Sequence, residues 1–591
     1  MAGAGEGDDG PAPGGDRPDR PDQDDRVELR WPGKYVDGRR APLVDHGVEL
    51  RERERFSGAD GSSPEFDHPF ADALIRADNL HALEALVRRA PGSVDLVYID
   101  PPFATGNQFA LVRRVGDKRE GDEAELRLPA FDDAWDGGLA GFLRMLDPRI
   151  RLIHQLLRET GSLYVHVDPT VGHAVKLLLD EVFGPRCFQR EIVWRIGWVS
   201  GFKTRARNWI RNHDLIFFYT KDPQRFTFNK QWVPHAKGYE RREGKPAKAP
   251  GVAIEDVWNA NPSELELSGR ASLDSIQIKS FSREKTGWAT QKNESLLARI
   301  IEASSDPGDL VADVFAGSGT TAAVAARLGR RFLACDHADA AVQIARGRLL
   351  AAGVGFRVLE ADARERAIRA GEVDEATLRG WMLAQLGGEP LADAGLLAGR
   401  RGDVGLALAL PGSLVDAERL RAVQAEVEAR GFAAVELLGF DWSADPDPSC
   451  PDVIALEAGR GLFEPSIRAT PWVAGGSAIW ERPRFELERT ALPDGRVRVA
   501  LTGITLRRPE HLPAAIRERG WVDRVVGWSL AEADAPTEPV FVATGEGRGP
   551  AKADMALVAE LPRPRTGAWM FACEDLLGHR HVRTLPEPSP A

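Results

Sequence analysis

The sequence predicts an α/β protein built around a doubly wound, mostly parallel sheet. Three observations carry that prediction. Short apolar runs alternate with segments of helical spacing between about residues 70 and 365, the pattern of strands buried on both faces and joined by crossover helices. Two of the runs end in turns that place an acid beside proline or glycine, Asp100-Pro101-Pro102 and Asp313 to Gly319, at the strand ends where open sheets bind ligands. At 591 residues and 43% apolar composition, the chain is long enough for two or three packed domains.

The elements follow in order. Residues 1 to about 27 are Gly, Pro, Asp and Arg with almost nothing apolar. Burial there cannot offset the entropy of ordering, so a disordered tail is expected, then an N-terminal extension over 28–69. A helix from Leu80 to Arg89 precedes a strand from Val94 to Ile99. A helix from Leu139 to Arg158 precedes a strand from Leu163 to Val167, and a helix from Ala174 to Phe183 leads to strands at Ile192–Trp194 and Leu215–Tyr219. After an irregular stretch come a helix at Glu294–Ser304, a strand at Leu310–Val314, a helix at Thr320–Leu328 and a strand at Phe332–Cys335. This domain is expected to span 70–365. Residues 366–482 are expected to form an α/β segment, with strand, helix and strand over 403–437. Residues 483–591 are expected to form a β-rich module, with a hairpin turning at Pro493-Asp494-Gly495.

The bulk numbers exclude little. The net charge of −12 does not rule out a nucleic-acid partner, because binding follows the local field. Four scattered cysteines, Cys187, Cys335, Cys450 and Cys573, give neither zinc spacing nor a disulfide framework, and no metal is expected. The N-terminus lacks the apolar core of a signal peptide, and no apolar run is long enough to cross a bilayer. A cytoplasmic protein with no membrane contact is the expectation.

The tetrapeptide Asp100-Pro101-Pro102-Phe103 follows directly on the strand ending at Ile99. Two prolines stiffen the turn and remove two N–H donors. What remains is acceptors, the Asp100 carboxylate and main-chain carbonyls, followed by an aromatic ring. That set suits an amino group on a flat ring: two acceptors hold its two hydrogens while the aromatic stacks. The amine of adenine is a poor nucleophile because its lone pair is delocalised. Acceptors on its hydrogens stabilise the positive charge that grows during alkylation, an electrostatic contribution of about a few kcal/mol. Taken alone, the tetrapeptide reads equally as a strand-end turn with a packed Phe.

The second motif, Asp313-Val314-Phe315-Ala316-Gly317-Ser318-Gly319, joins a strand to the helix near Thr320. Its glycines allow a tight turn and close ligand approach, and the helix start offers free N–H groups. Asp336 ends the next strand, at the distance expected of an acid that binds ribose hydroxyls. The glycine spacing is neither G-x-G-x-x-G nor a P-loop, which favours an adenosine cofactor without a pyrophosphate clamp.

With both motifs in place, the sequence resembles the adenine-specific DNA methyltransferases of the β arrangement, in particular the modification subunits of type III restriction–modification systems. The matching stretches are Ala77 to Leu83, Asp100 to Phe103, Gly161 to Asp168, His213 to Lys221, Thr286 to Leu297 and Asp313 to Thr321. The resemblance implies a Rossmann-like fold dependent on S-adenosylmethionine and methyl transfer to the N6 amine of adenine at specific DNA sites. It implies that Asp100 and Pro101 hold the amine and that Phe103 stacks on a base flipped out of the duplex, with Pro102 completing the catalytic turn. It also implies that Asp313 and Phe315 to Gly319 hold the methionine part of the cofactor. Asp336 would hold its ribose, Thr290-Gln291-Lys292 would form a further cofactor motif, and Asp78 would line the pocket. Phe103 stands where Tyr is commoner, Val314 where Pro is usual, and Ala289 and Asn293 where prolines flank the motif. Double-stranded DNA is the implied substrate, with a nuclease and helicase restriction subunit and a second copy of the chain as candidate partners.

Residues 195–248 carry thirteen Lys and Arg, among them Lys203, Arg205, Arg207, Arg211, Lys237 and Lys245, interleaved with Trp198, Phe202, Trp209 and Trp232. Such a stretch suits a phosphate-contacting face. The resemblance puts the target recognition region at about 225–285, and the loop Thr105–Asp136 could also close on DNA. His166 and His213, lone histidines in strand-like runs, are assigned no catalytic role. Two other readings stand beside this one: N4 methylation of cytosine at the same site, and a DNA-binding subunit that has lost catalysis.

Overall fold

The structure, a computed structural model, describes residues 27–58, 68–103, 108–115, 124–132, 137–196, 207–235, 250–258, 284–288, 290–361, 374–393, 395–442, 450–458, 479–494, 496–507, 525–532, 538–542, 558–562, 568–575 and 580–586. The expected tail over 1–27 lies outside them except for Val27, as do most of the expected recognition region and parts of the loop 105–136.

The ten strands of the main sheet, in chain order, are β1 (Leu50–Phe56), β2 (Ala73–Arg76), β3 (Val94–Ile99), β4 (Leu157–Val167), β5 (Phe188–Arg195), β6 (His213–Thr220), β7 (Val257–Trp258), β8 (Leu310–Asp313), β9 (Arg331–Asp336) and β10 (Phe356–Ala361). Their spatial order is β7-β5-β6-β4-β3-β8-β9-β2-β10-β1. The six strands from β4 to β10 in that order run parallel, and β6 and β1 join them antiparallel on either side. Helices α1 (Asn79–Arg89), α2 (Leu139–Leu156) and α3 (Pro169–Phe183) share one core with Val97, Ile99 and Val165. Helices α4 (Glu294–Ser304), α5 (Thr320–Arg327) and α6 (Asp339–Ala351) share the other with Leu96, Tyr98 and Val311. Alternate residues of β3 thus enter opposite layers, which is why that run is apolar but for Asp95. The doubly wound fold expected from the sequence is the fold found.

The winding reverses between β3 and β8. From β3 the chain goes on to its neighbour β4 on one side; from β8 it goes on to β9 on the other. A crevice opens at such a switch point, outside the carboxyl ends of the strands. Val97 pairs with Ala312 across it, so the turns after Ile99 and Asp313 are neighbours although some two hundred residues separate them.

Beyond residue 374, a six-stranded sheet, Glu389–Pro390 to Ile479–Glu481, packs helices Glu375–Gln385 and Ala417–Arg430 against separate cores. Strands Arg484–Ala491 and Arg496–Thr505 form the expected hairpin, with Ala491 opposite Val497. Ala568–Asp575 and Arg580–Pro586 pair antiparallel around 576–579, which lie outside the described residues.

Candidate active site

Five adjacent parallel strands each deliver an aspartate at the same edge. In spatial order they are Asp168 after β4, Asp100 after β3, Asp313 ending β8, Asp336 ending β9 and Asp78 just past β2. Two of them cap helices: Asp78 accepts from Leu80 N at 2.9 Å and Asp168 from Thr170 N at 2.8 Å. Asp78 is further engaged by Arg149 at 2.9 Å.

The turn after β3 is the least satisfied part of this edge. Asp100 Oδ2 accepts a hydrogen bond from the Lys292 ammonium. Asp100 Oδ1 is buried and accepts none among the described residues. An unpaired buried acceptor is costly, so its persistence here marks a place for a donor. Pro101 is buried, and Pro102 and Phe103 are half-buried. The Lys292 ammonium also lies 5.5 Å from the Phe103 ring centre.

The glycine loop is built for close approach. Gly317 has φ +49°, and a Cβ there would meet Trp288 Nε1 at 2.9 Å. Gly319, with φ +73°, caps α5, and a Cβ there would meet the Ala345 Cβ at 2.5 Å. Asp336 clamps the loop, accepting from Gly317 N at 2.8 Å and from Ala338 N at 2.9 Å. Asp313 accepts from Phe315 N at 3.0 Å and from the Thr321 hydroxyl at 2.5 Å. Burial pushes the Asp313 carboxyl up to about 7, outweighing those hydrogen bonds, and Asp100 and Asp336 push the same way. Three carboxylates around one crevice make it a place for positive charge.

Thr290, Gln291 and Lys292 divide their work. Gln291 braces its own loop, accepting from Thr286 N at 2.8 Å and donating to the Glu284 carbonyl at 2.5 Å. The Thr290 carbonyl faces the Lys292 ammonium at 3.5 Å. Lys292 bridges the two halves: its carbonyl accepts from the Thr320 hydroxyl at 3.4 Å while its ammonium reaches Asp100. The predicted site residues thus meet along one edge. Phe315 packs against the core on the α1–α3 face.

Residues 94–347 match the family described as DNA methylase. Over this part the chain is similar to the DNA methylases of that family. The chain is similar to the type II methyltransferase M.EcaI of Enterobacter cloacae, 27% identical over 370 residues, which cover 53% of this chain and 75% of the relative. It is also similar to the DNA adenine methyltransferase YhdJ of Escherichia coli K12, 29% identical over 278 residues, 45% of this chain and 78% of the relative. Among solved structures it is similar to M1.HpyAVI in complex with S-adenosylmethionine, at 17% identity and a TM-score of 0.29, over 47% of this chain and 98% of that one. These relatives include type II enzymes; the expected likeness to type III modification subunits is not among what the comparisons show.

The same residues, 94–347, also contain a network that sequence spacing does not reveal. His166, fully buried on β4, bonds the Tyr98 hydroxyl through Nδ1 at 2.9 Å and faces Asp214 through Nε2 at 3.3 Å. Arg211 joins Asp214 to Asp168, the latter at 2.7 Å. Burial alone would raise the Asp214 carboxyl. The His166 hydrogen bond, with the charges of His166, Lys292 and Arg211, outweighs it and holds the carboxyl below its usual range. The His166 ring lies 6.1 Å from Phe103 and 5.4 Å from Trp194. It packs beside the turn that follows β3. Its partners lie 68 and 48 residues away, beyond the reach of any local pattern.

Proposed function

We propose that this chain transfers a methyl group from S-adenosylmethionine to the N6 amino group of adenine in double-stranded DNA, acting in the cytoplasm within a restriction–modification or phage-defence system. The observation that carries the reading is the buried, unpartnered Asp100 Oδ1 beside a proline turn. One amine hydrogen goes to that oxygen and the other to the Pro101 carbonyl. As N6 is alkylated it gains positive charge, which the neighbouring carboxylate stabilises, and loss of one N–H proton to solvent then leaves the neutral methylated amine. Lys292 fixes the carboxylate from its other oxygen. Phe103 offers a half-buried face for the base, which must leave the stack to be reached.

S-adenosylmethionine supplies a methyl group on a positively charged sulfur. The crevice suits such a ligand: the carboxyl groups of Asp100, Asp313 and Asp336 lie close enough to act on one another there and favour a positive charge between them. Residues 315–319 would take its methionine part and Asp336 its ribose; Asp78 and residues 290–292 would complete the wall. Duplex DNA is the substrate. A restriction subunit and a homodimer are further proposals, suggested by the sequence resemblance alone.

The test is base-resolved sequencing of DNA from cells that express the protein. Methylated adenine within one short sequence is the expected result. Methylated cytosine instead would move the reaction to N4 of that base, and unmodified DNA beside measurable cofactor binding would reduce the protein to a silent DNA-binding subunit.

A further inference from the structure

We infer that Trp209, with Ile210 beside it, is a wedge that enters the duplex next to the target adenine and holds the gap open while the base is out. The inference rests on the reading of the site as a DNA adenine methyltransferase and adds a binding element to it.

Trp209 is 97% exposed, the most exposed of the large hydrophobic side chains among the described residues, and its neighbour Ile210 is 42% exposed. Two adjacent bare apolar side chains just before β6 call for a partner, whereas single ones do not. Their position narrows the choice. β6 runs antiparallel to β4, with Leu215 opposite Val167. The segment before β6 therefore projects from the edge that carries Asp100. β6 lies two strands from β3, a separation of about 10 Å. A side chain there is close enough to enter the duplex beside the place a flipped adenine has left.

The base of this segment is rigid although its apolar pair is bare. Arg211 is held by Asp168 and Asp214, and Asn212 accepts from Ile196 N at 3.0 Å. Through Asp214 and His166 this anchor is continuous with Tyr98 and the catalytic turn. Exposed Arg207 precedes the two apolar residues, and Arg211, paired with Asp168 and Asp214, follows them. Apolar wedges set among cations are how proteins open base steps, with the arginines meeting phosphates and the wedge replacing lost stacking. A protein partner would not need the cations, which is why DNA is favoured.

The experiment compares full-length protein with Trp209→Ala and Trp209→Phe on two duplexes of the methylated sequence. One is fully paired, and one carries an abasic site opposite the target adenine, which makes flipping easier. Single-turnover methylation by the alanine variant should fall at least about tenfold on the paired duplex, because unstacking costs a few kcal/mol. It should recover most of that on the abasic duplex, and phenylalanine should restore much of the paired rate. A fluorescent aminopurine at the target should brighten on binding wild type and stay dim with the alanine variant. Equal rates for wild type and alanine variant on paired DNA would overturn the inference. So would an equal loss on both duplexes, which marks a general structural effect. So would intact methylation together with a lost dimer in sedimentation, which would assign the segment to a protein contact. If wild type itself methylates no adenine, the underlying reading fails first and takes this one with it.

Discussion

Replacing Gly319 by alanine tests whether the cofactor loop is as tightly determined as its geometry implies. The residue sits at φ +73°, where an L side chain costs about 1–2 kcal/mol. Its new Cβ would stand 2.5 Å from the Cβ and 2.9 Å from the Cα of Ala345. The Cα belongs to the α6 backbone and cannot swing away, so relief requires moving one helix against the other, at about 1–3 kcal/mol. The sum is about 2–5 kcal/mol of lost stability. Urea unfolding followed by tryptophan fluorescence measures it, and an unchanged slope would show that the loss belongs to the native state. Gly317→Ala is the internal control. Its φ is +49° and its close neighbour is the Trp288 indole, a side chain that can tilt, so its stability loss should be the smaller of the two. A loss under about 0.5 kcal/mol for Gly319→Ala, the range of an ordinary surface change, would refute the reasoning.

Three further outcomes follow from the same edge. Asp100→Ala should abolish methylation while leaving much of the DNA affinity, measured by filter binding beside a methyl-transfer assay; unchanged transfer would remove the catalytic assignment. Gly317→Asp should fail earlier, at cofactor binding by calorimetry, because it puts a carboxylate among Asp100, Asp313 and Asp336. His166→Ala should lower the methylation rate at saturating cofactor by about tenfold or more, by loosening the packing beside Phe103, while cofactor affinity stays at the wild-type value.

The sequence made the parallel core legible because its strands are apolar on both faces and its helices amphipathic. The flanks were harder. β1, Leu-Arg-Glu-Arg-Glu-Arg-Phe, reads as a charged run, yet as an edge strand it buries only Leu50, Glu54 and Phe56 and pairs its charges with Glu360 and Arg346. β2 has four residues, Ala73–Arg76, too few for a periodicity to show. Within the site, backbone requirements were readable: glycines where φ is positive, prolines where donors are unwanted. Side-chain partnerships across the sheet were not. Lys292 stood in a motif read as cofactor-binding, but its ammonium meets Asp100, 192 positions away. The lone His166 read as a structural histidine; it is fully buried, and its place beside Phe103 needed the strand order.

Asp313 gives the edge a pH signature whose sign can be worked out. Its folded-state value is about 7 against 3.8 for the free side chain. Between those two limits the folded protein keeps a proton that the unfolded chain has released. Unfolding therefore releases a proton, and stability falls as pH rises from about 4 to 7, by up to about 4 kcal/mol. In Asp313→Asn the amide oxygen still accepts from Phe315 N, its NH2 can donate to the Thr321 hydroxyl, and there is nothing to ionise. The variant should lose this slope while other carboxylates keep theirs, so the wild-type minus variant difference in unfolding free energy isolates the one group. A cation bound in the crevice would favour the ionised carboxylate, so cofactor binding near neutral pH should release a fraction of a proton. Calorimetry in buffers of different ionisation enthalpy reads that release, and it should vanish in Asp313→Asn. Equal slopes for the two proteins would mean that burial does not hold the Asp313 proton, and with it would go the case that the three carboxylates act on one another across the crevice.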